Sequence, residues 1–308
     1  MKSSKTLPYA FLVSALFVSA CSLPTNDPNK GTSDTYELTT VPAEIMIDIP
    51  ASLVPAASSP GARAAGAGDV YTEMSIGMAR SMVGMLDSMG SSVSMMLVLG
   101  DYIIDRNDLS PDGTPHLGIA VALTQALFDR MLAVSASDMR DGFDSSIIGS
   151  SLTMDVTYSQ AAAPYAFALE IYESRAPMPV TLSWSEDKTK SKVAIASMEI
   201  TYDAATKTMA LRSTDDYLDF TMNLKQAADG GAYVAFSFGS GEYAYSVKCY
   251  ADDDGGYITA EYPDYMNEGM LTASACSFNA DGVADGTVNT FYQAIYDSAA
   301  DEFYSLEP

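Results

Sequence analysis

Histidine is almost absent from this chain. His116 is the only one among 308 residues, so a multi-histidine metal centre is excluded and any Ser-His-Asp apparatus would have to use it. His116 falls at an expected helix start, where the positive end of the helix dipole disfavours imidazolium. No Gly-x-Ser-x-Gly elbow supplies a nucleophile, and there is no phosphate-cradling loop or dinucleotide fingerprint after a strand. Basic residues are scarce as well: 16 Lys and Arg face 40 Asp and Glu, a formal charge of −24. Phosphate binding needs a basic surface, so nucleic acid is excluded as a partner. Residues 249–308 hold 12 acidic side chains and no Lys or Arg, which reads as a solvated acidic face.

Cysteine is also rare, at three residues. Cys21 follows a short apolar run. Lys2 and Lys5 form a positive start, Leu7 to Val18 an apolar stretch broken by Pro8 and Ser14, and small residues lead through Ala20 to Cys21. This is the layout of a secretory leader, too short to span a bilayer. The segment Val18-Ser19-Ala20-Cys21 resembles the lipobox of bacterial lipoproteins. The resemblance implies a signal peptide over residues 1–20, cleavage before Cys21, and attachment of the mature chain to the membrane through lipid on the Cys21 thiol. Two or three acyl chains hold a protein on a bilayer where one does not. Ser22 stands where many inner-membrane lipoproteins carry aspartate, which points to the outer membrane of the cell envelope. Without residues 1–20 the chain carries 40 acidic and 14 basic side chains.

The other two cysteines, Cys249 and Cys276, read as a disulfide in an exported chain, with two free thiols as the alternative. The bridge would enclose 26 residues and contribute about 3–4 kcal/mol in the chain-entropy picture.

Residues 21–35 are rich in Ser, Thr, Pro, Asn and Asp and read as a flexible tether to a single α+β domain over 36–308. Residues 44–49 suggest a short strand. Asp69 reads as an N-cap, and Met74, Met78, Met82, Met85, Met89, Val93 and Met96 recur at spacings of three and four, one face of a helix ending near Gly100. Residues 101–114 read as a polar loop. Thr114-Pro115 then looks like a helix start, followed by Leu117, Val121, Leu123, Leu127, Met131 and Leu132 to about residue 135, so the helical part covers about 70–135.

From about 150 to 278 the period changes to two. Strands are expected at 152–158, 166–173, 179–184, 192–202, 207–213, 217–225, 232–239, 242–251, 256–262 and 270–278, separated by turns such as Asp229-Gly230-Gly231. Phe291, Ile295, Ala299 and Phe303 suggest a closing helix over 286–304. The expected fold is α+β: an antiparallel meander of eight to ten strands, as a curved sheet or half-barrel, with two N-terminal helices and one C-terminal helix. Short strands interrupted by Glu170, Lys192, Glu199 and Lys248 argue against an outer-membrane barrel. At the level of architecture the body resembles periplasmic lipid-carrier lipoproteins, which implies an apolar cavity.

Three acidic loops, 105–112, 252–254 and 279–285, have oxygen ligands of the kind calcium takes. Asn279, Asp281 and Asp285 come closest, but Gly282 is misplaced and no distal Glu completes the set. Ordinary turns explain them, so no metal and no cofactor is expected. The methionine stripe is the feature that points to function, because Met side chains adapt to varied apolar partners. The expectation is a non-enzymatic, lipid-anchored envelope protein that binds a lipid or other apolar small molecule at Met74, Met78, Met82, Met85, Met89 and Met96. A surface-exposed interaction module without an internal ligand is the alternative, and an envelope hydrolase using a carboxylate pair is the third reading.

Overall fold

The computed structural model of the chain describes residue 45 and residues 47–54, 70–134, 148–173, 179–215, 218–239, 245–264 and 270–280. The alternation of apolar and polar side chains becomes an antiparallel meander. Its strands are β1 (Asp112–Ala122), β2 (Ser151–Gln160), β3 (Phe167–Glu173), β4 (Val180–Trp184), β5 (Lys190–Ile195), β6 (Met198–Asp203), β7 (Thr208–Asp215), β8 (Leu218–Gln226), β9 (Ala232–Phe238), β10 (Tyr245–Asp252), β11 (Gly255–Asp264) and β12 (Met270–Asn279). They follow one another in sequence order, each hydrogen-bonded to the next within β1 to β5 and within β6 to β12. Two helices accompany them among the described residues, α1 (Val70–Arg106) and α2 (Gln125–Ala133). The fold is α+β. The chain divides into two compact units, Met1–Ile45 with Gly90–Ala196 and Met46–Met89 with Ser197–Pro308.

In the first unit every residue of α1 from Val93 to Ile104 is buried. A helix apolar on all sides belongs inside a fold. Gly100 sets the approach. A Cβ built there would lie 2.7 Å from Leu182 Cδ1 and 3.2 Å from Leu169 Cδ2. Those leucines sit in a buried row across four strands, Tyr158, Leu169, Leu182 and Val193, each directly opposite the next. The helix therefore runs through Gly100, where the sequence suggests a stop. Close tertiary packing outweighs the low helix propensity of glycine. It ends at Asp108, in the left-handed region at φ 48°. There Leu109 N donates to Ile104 O at 3.0 Å and Asp108 N to Asp105 O at 3.3 Å, a Schellman closure with aspartate in the usual glycine position.

The expected helix from Thr114 is corrected in the structure. Residues 112–122 form β1, paired with β2, and only 125–133 are helical. Gly113 and Gly118 have φ of +77° and +65°, and the β1–β2 register slips beside each of them. Such bulges serve a strand and break a helix. His116 thus sits half-buried on a strand opposite Val156, with no helix start around it. The helix cap is Thr124, whose side chain accepts from Leu127 N at 3.2 Å. The single expected strand at 192–202 is two, β5 and β6, broken at Ala196, which has φ 53°.

In the second unit one buried row crosses β6 to β11: Tyr202, Met209, Leu224, Val234, Cys249 and Ile258, none more than 7% exposed. Cys276 on β12 is opposite Ile258. The described part of residues 44–49 is not a strand. The chain after it is strapped to the β10–β11 turn, with Ala51 N donating to Asp253 Oδ1 at 2.8 Å and Ser52 Oγ to Asp252 O. From α1, Arg80 Nε donates to Ser52 O at 2.9 Å. At the β8–β9 turn, Tyr250 donates its hydroxyl to Asp229 Oδ2 at 2.6 Å, while Asp229 Oδ1 accepts from Gly231 N. The closing helix expected over 286–304 lies outside the described residues, as do residues 1–44.

Gly100→Ala is expected to cost about 1–2 kcal/mol in urea unfolding, because overpacking against two sealed leucines exceeds the roughly 1 kcal/mol gained in helix propensity. A neutral or stabilising effect would mean the helix does not lie on Leu169 and Leu182.

Candidate functional site

Two places gather side chains with chemistry: the methionine side of α1 and an aromatic cluster on β2–β4.

Helical periodicity in the methionines is present, but the sealed face lies elsewhere. Ile76, Ala79, Val83 and Leu86 form the buried stripe in the second unit. At 3.6 residues per turn the methionines centre about a third of a turn round the helix from it. Met78, Met85 and Met89 are half-buried, Met82 is 8% exposed and Met96 only 3%. Met74 belongs to α1, with its side chain outside the described part. The stripe is therefore sealed at Met82 and Met96 and accessible at Met78, Met85 and Met89. By length and composition α1 could cross a membrane from Ile76 to Arg106, yet most of that window is buried within the fold.

The aromatic cluster belongs to the unit Gly90–Ala196. Tyr158 stacks on Trp184 with ring centroids 5.8 Å apart and planes at 20°. Phe167 tilts against both, at 6.1 Å and 6.0 Å. These offset and tilted arrangements are the favourable ones for aromatic quadrupoles. Asp101 of α1 is the only buried charged side chain among the described residues. Burial raises the Tyr158 phenol above its ordinary value, and the negative charge of Asp101 acts in the same direction. The turn beyond Trp184 is locked by Asp187 Oδ1, which accepts from Ser185 Oγ, Thr189 N and Thr189 Oγ1 at 2.6, 3.1 and 2.9 Å. The Ser185 hydroxyl bond is the chief reason the Asp187 carboxyl sits below the usual carboxylate range.

The other sequence-predicted residues that the structure describes are not drawn to either place. Cys21, Asp281 and Asp285 lie outside the described residues, and Asn279 is exposed at the end of β12. Among the described residues no three His, Cys, Asp or Glu side chains converge on a metal position. The acidic loops spend carboxylates on their own backbones: Asp252 Oδ1 accepts from Asp254 N and Gly255 N, and Asp112 Oδ1 from Thr114 N. Cys249 and Cys276 occupy one register row with Ile258 between them. A bridge would have to cross β11 and span two strand spacings, roughly 9.6 Å, where a disulfide reaches only about 7 Å. The aromatic cluster with Asp101 was missed in the sequence. Its only signal was an aspartate inside the apolar run Met95–Ile104.

No protein-family model, curated protein sequence or solved structure matches this chain.

Two outcomes follow. Iodoacetamide added to denatured, unreduced protein should alkylate both Cys249 and Cys276, read by peptide mass; labelling of neither would mean the β10–β12 register changes in solution. In alkaline solution the unfolded phenol ionises near 10.0 while folded Tyr158 keeps its proton. Its contribution is full below that pH and is lost as pH rises toward the raised folded value. Tyr158→Phe should therefore flatten the decline of stability above pH ~10 in urea melts. An unchanged slope would place Tyr158 in water.

Proposed function

We propose that this chain is a non-enzymatic lipoprotein of the bacterial cell envelope, held on the outer membrane through lipid on Cys21, whose body binds a lipid or other apolar small molecule against Met78, Met85 and Met89. The observation that carries the binding reading is the offset of about a third of a turn on α1. The sealed stripe stabilises the fold, and the half-buried methionines beside it are left as a soft apolar surface. The lipobox-like leader carries the anchoring reading, and the acidic excess keeps such a body soluble beside a membrane. A surface interaction module is the second reading, favoured by the exposed Leu117, Tyr172 and Phe238.

Cell fractionation tests the anchor: the parent should pellet with membranes and Cys21→Ala should not. A Cys21→Ala chain that stays with the membrane contradicts the anchor. Titration of that soluble chain with a fluorescent fatty acid tests the site. Saturable binding is expected, weakened about tenfold by Met85→Gln, since half of a buried Met contributes about 1.4 kcal/mol. Absence of uptake would transfer the reading to the surface module.

A further inference from the structure

Trp184 Nε1 and Ser191 Oγ are both buried, and neither has a protein hydrogen-bond partner among the described residues. The two are neighbours. Trp184 on β4 is directly opposite Ser191 on β5, so both side chains leave the same face of the sheet, with Cβ atoms about 5 Å apart. Trp184 is 0% exposed and Ser191 1%, which removes both atoms from bulk solvent. Leaving both bonds unmade would carry the full desolvation penalty of each group.

Neither side chain is placed to turn elsewhere. The indole is held by its stack on Tyr158 and its contact with Phe167. The Ser185–Lys190 turn fixes the register, with Lys190 N donating to Ser185 Oγ at 3.0 Å and Ser185 N to Lys190 O at 3.0 Å. The indole N–H only donates, and the serine hydroxyl can donate or accept, so the missing partner must accept from the indole. It must also be neutral. Lys190 and Lys192 flank Ser191 but alternate to the other face of β5, while the one buried charge among the described residues, the Asp101 carboxylate, is negative and acts on the neighbouring Tyr158.

We propose that Trp184 and Ser191 form a binding site for one neutral hydrogen-bond-accepting oxygen, bridging β4 to β5 against the rings of Tyr158 and Phe167. An enclosed water and the carbonyl or hydroxyl head of an apolar ligand offer the same chemistry. The site stands on geometry alone and does not depend on the lipid anchor or on the methionine surface.

Trp184 is the only tryptophan in the chain, so the 15N-labelled full chain carrying Cys21→Ala has one indole N–H signal. The expected result is a signal at a hydrogen-bonded shift that moves upfield in Ser191→Ala and is retained in Ser191→Thr. A cross-relaxation peak to water assigns the oxygen to water. Without that peak, extraction with an apolar resin should shift the signal and assign the oxygen to a ligand. A signal at the shift of an unbonded indole overturns the proposal. So does a bonded signal that ignores Ser191→Ala, or one that shows neither a water peak nor a change on extraction. Should Ser191→Ala not fold, the parent spectrum and Ser191→Thr decide on the same criteria.

Discussion

The contact at Gly100 governs the first unit. Without a Cβ at that position α1 lies directly on Leu169 and Leu182, and the approach draws in three turns of helix from Val93 to Ile104. Tight packing of this kind is felt down to a single methylene. It also explains how a charged side chain comes to be enclosed. Asp101 follows Gly100 directly, so the same approach carries its carboxylate inward to where its charge reaches Tyr158. The aromatic stack of Tyr158 and Trp184 then holds the indole against β5, and the buried polar pair follows from that placement.

The acidic composition has a structural use beyond solubility. Asp112, Asp187, Asp203, Asp229 and Asp252 each accept a backbone N–H two residues further on. These are Asx turns, in which a short carboxylate takes the place of a backbone acceptor. A meander of twelve sequential strands needs a tight reversal at many joints, and aspartate supplies several of them. Asp229 does more, because its second oxygen receives the Tyr250 hydroxyl and fastens the β8–β9 turn to β10. That bond is the main cause of its carboxyl lying below the usual range, and burial with the Asp229 bond raises the Tyr250 phenol.

Where a local signal and a tertiary one agreed, the sequence was enough. Strands such as β2, whose side chains alternate from Leu152 to Tyr158, and turns marked by Asp and Gly, such as Asp229-Gly230-Gly231, made most of the meander legible. Three readings failed where a tertiary contact or an unsignalled backbone conformation overrode a local sign. Gly100 looks like a helix stop and is a packing contact. Thr114-Pro115 looks like a helix start, but Gly113 and Gly118 with positive φ make the segment a bulged strand. Ala196 carries no turn signal and still breaks the strand, in the left-handed region. The methionine periodicity was correct about the helix and silent about which side faced inward. The pairing of Trp184 with Ser191, and the strand between Cys249 and Cys276, depend on register, which no single-strand pattern encodes.

Occupancy of this body by the proposed apolar ligand can be read by native mass spectrometry of the full chain carrying Cys21→Ala, before and after organic extraction. A stoichiometric adduct is expected that disappears on extraction and is recovered in the organic phase as an apolar species. A clean mass of the bare chain, unchanged after incubation with fatty acid or phospholipid, would contradict it.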